Sequence, residues 1–243
     1  MAKYGNTGTR IYLDQYDISG FLNATDFAVK QETTIVTTFS DEGPRRLVGN
    51  YDHSGSSNGF IDTADNSFDE NILAHVGSAS DHYLTRLFGA NAEGSVSYDA
   101  VVTIPTQPRT AQIGQAILLN ITDEGTNGAS RGMVIRSATI SANDNGTGRN
   151  VGASTAGQTF QVVIRVLSGT FTSFDVNIQE SQNDGAPDAY ATVADLSQTG
   201  IAAGGVWRKT TTSATEAWKR VNIANWIGTS AVVLVTCGVV AAT

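Results

Sequence analysis

Two stretches in the second half of the chain alternate apolar and polar residues, and this period of two constrains the fold more than any other feature. In TFQVVIRVL (159–167) every second residue from Phe160 to Val166 is apolar, and in SFDVNIQES (173–181) the same holds from Phe174 to Ile178. Gln161 and Arg165 are predicted to point to the opposite face. Alternation of this kind is typical of antiparallel strands with one face buried.

The rest of the chain continues in strand-like runs separated by turn residues. The exception is Phe68 to Val76, where Ser67 and Glu70 have the spacing of a capping box and the apolar residues share one helical face, so we expect one short helix there. The tract NDNGTGRNVGASTAG (143–157) is rich in turn residues and poor in core residues, which predicts a linker or a domain boundary. The predicted fold class is all-β: a β-barrel or sandwich domain with one short helix at residues 1–150, and a C-terminal β-sandwich domain at 151–243.

Composition limits the function classes. Charged residues are 16% and hydrophobic residues 40% of the 243-residue chain, and the net charge is −8 with a pI near 4.7. That balance argues against a nucleic-acid binder that holds phosphates. The start of the chain lacks a secretory pattern, and the apolar tail from Ala231 to Ala242 is shorter than the roughly 20 residues of a membrane helix, so it predicts a buried strand that contains Cys237.

The candidates for chemistry are weak. Asp52, His53 and Ser54 have the residue types of a hydrolase triad, but consecutive strand residues point to opposite faces and cannot line up. His75 and His82 could approach each other, yet the chain has three His and one Cys, and none of the known zinc spacings occurs. The acidic turns at Asp144 and Asp184 lack the glutamate of a calcium loop and favour hairpin turns, with a loosely bound calcium ion as the open alternative. We therefore expect a protein that is not an enzyme and has no metal site and no cofactor.

A longer polar stretch, Thr37 to Gly59, lies between two early strands and is predicted to be a long loop that is mobile in the isolated chain and becomes ordered only against a neighbouring subunit. Arg45 and Arg46 follow Gly43 and Pro44, with two acidic residues just upstream. These arginines are either a solvated, partly self-paired loop tip or an interaction tip that reaches acidic groups of another subunit.

The order of motifs from Gly8 to Asp62 resembles that of phage tail tube (major tail) proteins of long-tailed phages. The resemblance rests on GTRIYLDQYDISGFLN, VTTFSD, RRLVGNYD and SSNGFID in succession. Later, RGMVIRSATISA is compatible with a sheet strand, and FDVNIQESQNDGAPDAYATVADL followed by AWKRVNI resembles an appended β-domain of some tail proteins.

The resemblance implies a structural virion protein, made in the host cytoplasm and located in the tail. Its subunits would form stacked, hexameric rings with copies of themselves and with other tail proteins, and DNA would pass through the lumen without specific binding, with no membrane involved. In such proteins the early loop contacts the adjacent ring, which implies an inter-subunit role for Arg45, Arg46, Leu47 and Tyr51.

Two alternatives remain open from the sequence. The first is a capsid decoration protein, which would also be acidic and all-β. The second is a β-sandwich that binds a host glycan through Trp207, Trp218 and Trp226, although core packing is the commoner fate of such tryptophans.

Overall fold

A computed structural model describes residues 8–36, 43, 46–60, 76–78, 80–110 and 117–240. In these segments the chain is almost entirely antiparallel β-structure, as predicted, and helix is limited to the 3-10 turns Ser19–Phe21 and Ala194–Leu196. The strands are β1 Arg10–Leu13, β2 Tyr16–Asp17, β3 Leu22–Ile35, β4 Arg46–Phe60, β5 His82–Phe88, β6 Val96–Thr106, β7 Arg109–Thr110, β8 Leu118–Ile140, β9 Asp144–Asn145, β10 Arg149–Asn150, β11 Phe160–Ser181, β12 Ala191–Thr192, β13 Gln198–Ile201, β14 Gly205–Thr211 and β15 Trp218–Val240.

The chain forms two compact units that interleave along the sequence. Unit 1 consists of residues 1–19, 83–99 and 130–240, and unit 2 of residues 20–82, 100–129 and 241–243. The sequential division into residues 1–150 and 151–243 therefore does not coincide with these units, and it stays a prediction.

Unit 1 is built around the long pair of β11 and β15. β11 pairs with β15 from Phe160 to Ser181, and β15 continues the sheet through the second half of β8. The sheet order is β12-β11-β15-β8-β6-β5-β1-β2. One face of the central strands forms the main apolar core, whose fully buried members include Ile135, Phe160, Val162, Ile164, Val166, Phe174, Val176, Ile178, Val221, Val233, Val235 and Cys237.

The prediction of a half-buried strand at 159–167 is wrong for its second face. Gln161 and Arg165 point away from the main core, as the alternation predicts, but they are 1% and 0% exposed. A second apolar cluster of Tyr12, Leu87, Val134 and Leu234 lies in the same unit. Both faces of this part of β11 are covered, so its polar side chains must find hydrogen-bond partners inside the protein.

Several separate strands predicted from the sequence are single long strands. The runs at 159–167 and 173–181 join in β11, and EAWKRVNIAN joins the apolar tail in β15. The intervening small residues produce bulges, at which the register shifts between Val166 and Ser168 and again between Thr170 and Asp175. A bulge absorbs an extra residue without ending the strand, so residues that are typical of turns can lie inside a continuous strand. The apolar tail is a buried strand as far as Val240, as predicted.

The prediction of a linker at 143–157 is wrong. β9 and β10 both pair with β15, and Ser154 forms an isolated bridge with Thr215. The whole tract belongs to unit 1, and its backbone is held by strand pairing although it has few apolar side chains.

Unit 2 contains a smaller set of strands of the sheet. β3 pairs with β4, β4 pairs with the first part of β8, and β7 pairs with the other side of β8. β6, whose residues 100–106 belong to unit 2, also pairs with β8. The predicted helix at 68–76 falls outside the described residues except for Val76, which forms a parallel bridge with Ile104.

Candidate assembly surface

The β3–β4 hairpin occupies most of the stretch that was predicted to be a loop. That prediction is wrong for residues 46–59, because they form β4, which pairs with β3 from Leu22↔Gly59 to Ile35↔Arg46. This segment forms a strand although it is rich in Ser and Gly. Its cross-strand partners in β3 and β8 supply the larger side chains. Only residues 36–45 lie between the two strands.

The four predicted interface residues belong to this hairpin or its connection. In the backbone register Arg46 lies opposite Ile35, Leu47 opposite Thr34, and Tyr51 opposite Gln31. Arg45 lies outside the described residues. The inter-subunit role of these four residues stays a prediction.

The unit 2 sheet has two contrasting faces, set by strand alternation. We call the first the inner face: His53, Ser57, Leu119, Ile121 and Asp123 are all buried there. Phe27 packs its ring 5.8 Å from the His53 ring, and Thr25 Oγ1 lies 3.1 Å from Ser57 Oγ.

The second face, which we call the outer face, contains no fully buried residue among its described positions. It comprises Ala24, Asp26, Ala28, Ser54, Ser56, Asn58, Phe60, Leu118, Asn120, Thr122 and Glu124. Asp26 accepts a hydrogen bond from the backbone N–H of Ser56 over 2.6 Å. Among the described side chains of 22–29, 53–60 and 118–126, the charged groups are Asp26, Asp123 and Glu124, so the outer face is hydroxyl-rich and acidic.

Exposed apolar side chains are concentrated in unit 2. Six of the seven large exposed apolar residues in the described chain lie there, and Ile227 is the seventh. Phe60, Ile117 and Leu118, at 44%, 42% and 46% exposure, form one group at one end of the hairpin; Phe60 and Leu118 are direct cross-strand partners. Ile35 and Val36, at 58% and 39%, lie at the other end, and Val29 lies along β3.

The sheet of unit 2 also has open edges. Within the described chain, the 14-residue strand β3 pairs only with β4, and the two-residue strand β7 pairs only with β8. From Ala24 to Gln31 the β3–β4 register is continuous, with irregularities confined to the ends. A long and regular edge strand presents backbone N–H and C=O groups to any strand that can pair with them.

The positions of His53 and Ser54 agree with the prediction that neighbouring residues of this strand point to opposite faces and cannot line up as a hydrolase triad. His53 is 1% exposed on the inner face, packed against Phe27 and against Gly125, where a Cβ would overlap the imidazole. Ser54 belongs to the outer face. His82 is also buried, His75 falls outside the described residues, and the described side chains include no group of three or more His, Cys, Asp or Glu that could hold a metal ion.

Unit 1 contains charged groups that are buried and structural. Asp99 accepts hydrogen bonds from the hydroxyls of Thr85, Ser97 and Thr236, and Arg165 Nη1 lies 4.0 Å from its Oδ1. Arg165 donates to the backbone carbonyls of Asp14 and Tyr83 over 2.7 and 3.0 Å. Burial lowers the pKa of Arg165, and Asp99 opposes that shift.

Lys219 is a second buried cation of unit 1. Its Nζ lies 3.2 Å from Glu180 Oε2 and 5.1 Å from the centre of the Phe160 ring, and burial lowers its pKa. Its partners hold it in place inside the protein, so it is a structural group and not an exposed reactive amine.

The tryptophans proposed for glycan binding pack largely against the protein. Trp207 and Trp226 are partly buried against the main core, and Trp226 lies 5.2 Å from Phe174 between ring centres. Trp218 is half-buried at the start of β15. Packing against the protein is the role that tryptophan most often has.

No helix in the described part of the chain is both long and apolar enough to cross a membrane.

Comparison with known proteins gives only distant structural likenesses. No family model and no curated protein matches the sequence. Among solved structures, a chain of the native gene transfer agent virion is 17% identical, with a TM-score of 0.43 over 53% of this chain and 98% of that chain. The SPP1 tail tube protein is 9% identical, with a TM-score of 0.45 over 53% and 78%.

The SPP1 Dit protein, described as a hub of the adsorption apparatus in phages that infect Gram-positive bacteria, is 10% identical, with a TM-score of 0.38 over 96% and 99%. The structures similar to this chain thus include a phage tail tube protein. The likenesses are too distant to place the chain in a family.

Proposed function

We propose that the chain is a structural subunit of a phage tail tube, which assembles with copies of itself into stacked, hexameric rings that form the conduit for the genome. The observation that carries the proposal is the open 14-residue edge strand β3. The order of motifs from Gly8 to Asp62 that resembles tail tube proteins supports the same conclusion.

The strand directions in unit 2 suit a closed ring. In the order β3-β4-β8-β7 each strand is antiparallel to the next, so β3 and the two-residue strand β7 run in opposite directions. β6 also pairs with β8. Copies related by rotation about one axis can therefore place the β3 edge beside the β7 edge of a neighbour as an antiparallel pair. Such a head-to-tail contact closes into a ring when the rotation per copy is a simple fraction of a turn.

A ring of this kind would also enclose a channel whose wall does not bind DNA. Barrels of about 16 to 18 strands already leave an aqueous channel, and six copies that contribute four strands each would exceed that number. The inner face is occupied by buried side chains, so the outer face would line the lumen. Its carboxylates, Asp26 and Glu124, repel phosphates, which allows DNA to pass without being held.

The proposal predicts rings or tubes in electron micrographs of the purified protein, and localisation of the chain to the tail in micrographs of virions. Density for the chain on the capsid surface would contradict it and favour a decoration protein.

A variant tests the edge itself. Val29 lies near the middle of β3, opposite His53 on the inner face, but is itself 42% exposed, so a longer charged side chain there can reach water. An added charge at an edge strand opposes pairing with another strand. Val29→Lys should raise the concentration needed for ring formation by tenfold or more while the monomer stays folded by circular dichroism. Ile227→Lys is the matched control, because Ile227 is 58% exposed in unit 1. Equal assembly of the two variants would remove β3 from the interface.

A further inference from the structure

An amine and a carboxylate of unit 1 are in contact inside the protein, where β11 ends and β15 begins. Glu180 and Lys219 lie directly opposite each other on these two strands, and Lys219 Nζ is 3.2 Å from Glu180 Oε2. The side chain of Lys219 is 0% exposed and that of Glu180 is 18% exposed. Two reactive groups that a fold holds side by side can reach effective concentrations of roughly 10⁵–10⁸ M.

The surroundings of this pair keep water away from the amine and favour the uncharged forms. The Phe160 ring covers the amine, with its centre 5.1 Å from Lys219 Nζ, and Phe160 itself is 0% exposed. Burial lowers the pKa of Lys219, against the opposing effect of Glu180. Transfer of one proton from the ammonium to the carboxylate converts two buried charges into an amine and a carboxylic acid. The neutral amine is the form of lysine that attacks a carbonyl carbon.

Glu216, two residues before β15, supplies two further backbone groups to this pair. Its N–H donates a hydrogen bond to Glu180 Oε2 over 3.0 Å, and its carbonyl oxygen accepts one from Lys219 Nζ. The N–H is aimed at the oxygen on which negative charge develops when an amine adds to the carboxyl carbon, and it stabilises that charge. The carbonyl holds the amine in place beside the carboxyl group.

We propose that Lys219 and Glu180 join through an amide (isopeptide) bond between Lys219 Nζ and Glu180 Cδ. The amine adds to Cδ, and the negative charge of the tetrahedral intermediate develops on Oε2, which accepts the Glu216 N–H. Collapse of the intermediate breaks the Cδ–Oε1 bond, and Oε1 leaves as water with the proton of the carboxylic acid and one proton from the nitrogen. The step needs no oxidant and no further reactant. The bond lies within one copy, so it forms whether or not the chain assembles.

The bond would tie the end of β11 to the start of β15 and close a covalent loop that contains β12, β13 and β14. Such a cross-link stabilises a fold in the way that a disulfide does, because it restricts the unfolded chain. The chain has a single cysteine, Cys237, which is buried, so a disulfide within one copy cannot supply this cross-link.

The mass of the full-length protein with its native sequence is the first test, and it requires no variant. Under denaturing conditions the mass should be lower than that calculated from the sequence by one water molecule, and digestion should give one branched peptide that joins positions 180 and 219. Lys219→Met should restore the full mass, whereas Lys209→Met, at a half-exposed lysine of the same unit, should keep the loss of one water. A full mass for the folded native protein would overturn the proposal.

A second variant identifies the carboxyl partner by its leaving group. Glu180→Gln presents an amide carbon at the same place, so formation of the bond should release ammonia, and the mass should be lower by one ammonia molecule. Glu93→Gln changes another ion-paired carboxylate of unit 1 and should keep the loss of one water. Loss of one water from both Lys219→Met and Glu180→Gln protein would place the dehydration elsewhere in the chain and would refute the bond.

A cleavage experiment detects the same bond on a denaturing gel. A protease site inserted between the exposed residues Asp188 and Ala189 lies inside the proposed covalent loop. After cleavage and boiling, protein that is otherwise native should run as one band, whereas the same protein with Lys219→Met should separate into two fragments. Two fragments from both proteins would contradict a bond between Lys219 and Glu180.

Discussion

Phe60 and Leu118 lie directly opposite each other on β4 and β8, and both stay more than two-fifths exposed, whereas Leu119, one residue further along β8, is 1% exposed. One step along a strand therefore separates an exposed apolar surface from the core that holds unit 2 together. This relationship lets an exposed and a buried position be compared on neighbouring leucines.

We predict that Leu118→Ala changes the free energy of unfolding by less than about 1 kcal/mol, because surface substitutions rarely cost more. Leu119→Ala should cost about 2–5 kcal/mol, because it leaves a cavity under the sheet. Chemical denaturation of the two variants at a concentration where the protein is monomeric measures both. Equal costs would mean that Leu118 is buried in the monomer, contrary to its 46% exposure.

The arginines of the hairpin connection give a second prediction. Arg46 lies opposite Ile35 in the register, beside the connection for which the resemblance to tail tube proteins implies contact with the adjacent ring. Arg45→Glu with Arg46→Glu should block tube formation and leave the monomer folded, because guanidinium groups suit interfaces and their reversal brings repulsion. Light scattering and electron microscopy measure the loss.

A matched control has the same change in net charge. Arg131→Glu with Lys209→Glu alters two basic residues of unit 1, at an exposed and a half-exposed position. Assembly of this control should be close to normal. Equal inhibition by both pairs would show that the protein responds to total charge and would remove the interface role of Arg45 and Arg46.

The buried carboxylate of Asp99 in unit 1, with its hydroxyl donors and Arg165, gives a third prediction. Asp99 is 1% exposed and accepts hydrogen bonds from Ser97 Oγ over 3.0 Å and from Thr236 Oγ1 over 2.7 Å, with Arg165 at 4.0 Å. Asp99→Ala leaves these donors and a buried cation without their partner, which should cost about 3–5 kcal/mol. The double variant with Arg165→Met should cost less than the sum of the single changes, because the uncompensated charge is gone. Additive costs would show that the two charges are not coupled.

The alternation of Phe160 to Val166 predicted a strand and its apolar face correctly, because a period of two survives in any sheet. It could not predict that Gln161 and Arg165 are buried too, since the residues that cover this second face of β11 are far away in sequence. Gln161, for example, donates to the carbonyl of Asp99 over 3.2 Å and accepts from Arg208 over 2.9 Å.

The hairpin was missed for a related reason. β4 is rich in Gly, Ser and Asn, which favour turns in isolation. In the sheet, Gly59 and Gly125 are places of close approach, where a Cβ would overlap Phe21 and His53. A glycine that is required by a neighbour cannot be distinguished from a turn glycine without knowing the neighbour. The exposed pair Phe60 and Leu118 was missed because its two residues are 58 positions apart and meet only through the register of β4 and β8.

A last prediction concerns alkaline stability. Tyr12 is fully buried in unit 1, and burial, with a smaller contribution from Asp17, raises its pKa to about 12 from an ordinary 10.0. The unfolded chain therefore loses the phenol proton at lower pH than the folded chain does. The stability that this difference contributes is fully present below pH 10 and is lost as the pH rises from 10 to 12, by about 3 kcal/mol in all.

Tyr12→Phe has no proton to lose, so its free energy of unfolding should fall less steeply than that of the unmodified protein between pH 10 and 12. Urea denaturation at a series of pH values measures the two slopes, and tyrosinate absorbance reports the ionisation directly. Parallel slopes for the two proteins would show that the Tyr12 hydroxyl ionises equally easily in the folded and unfolded chains, which its complete burial among Leu87, Val134 and Leu234 opposes.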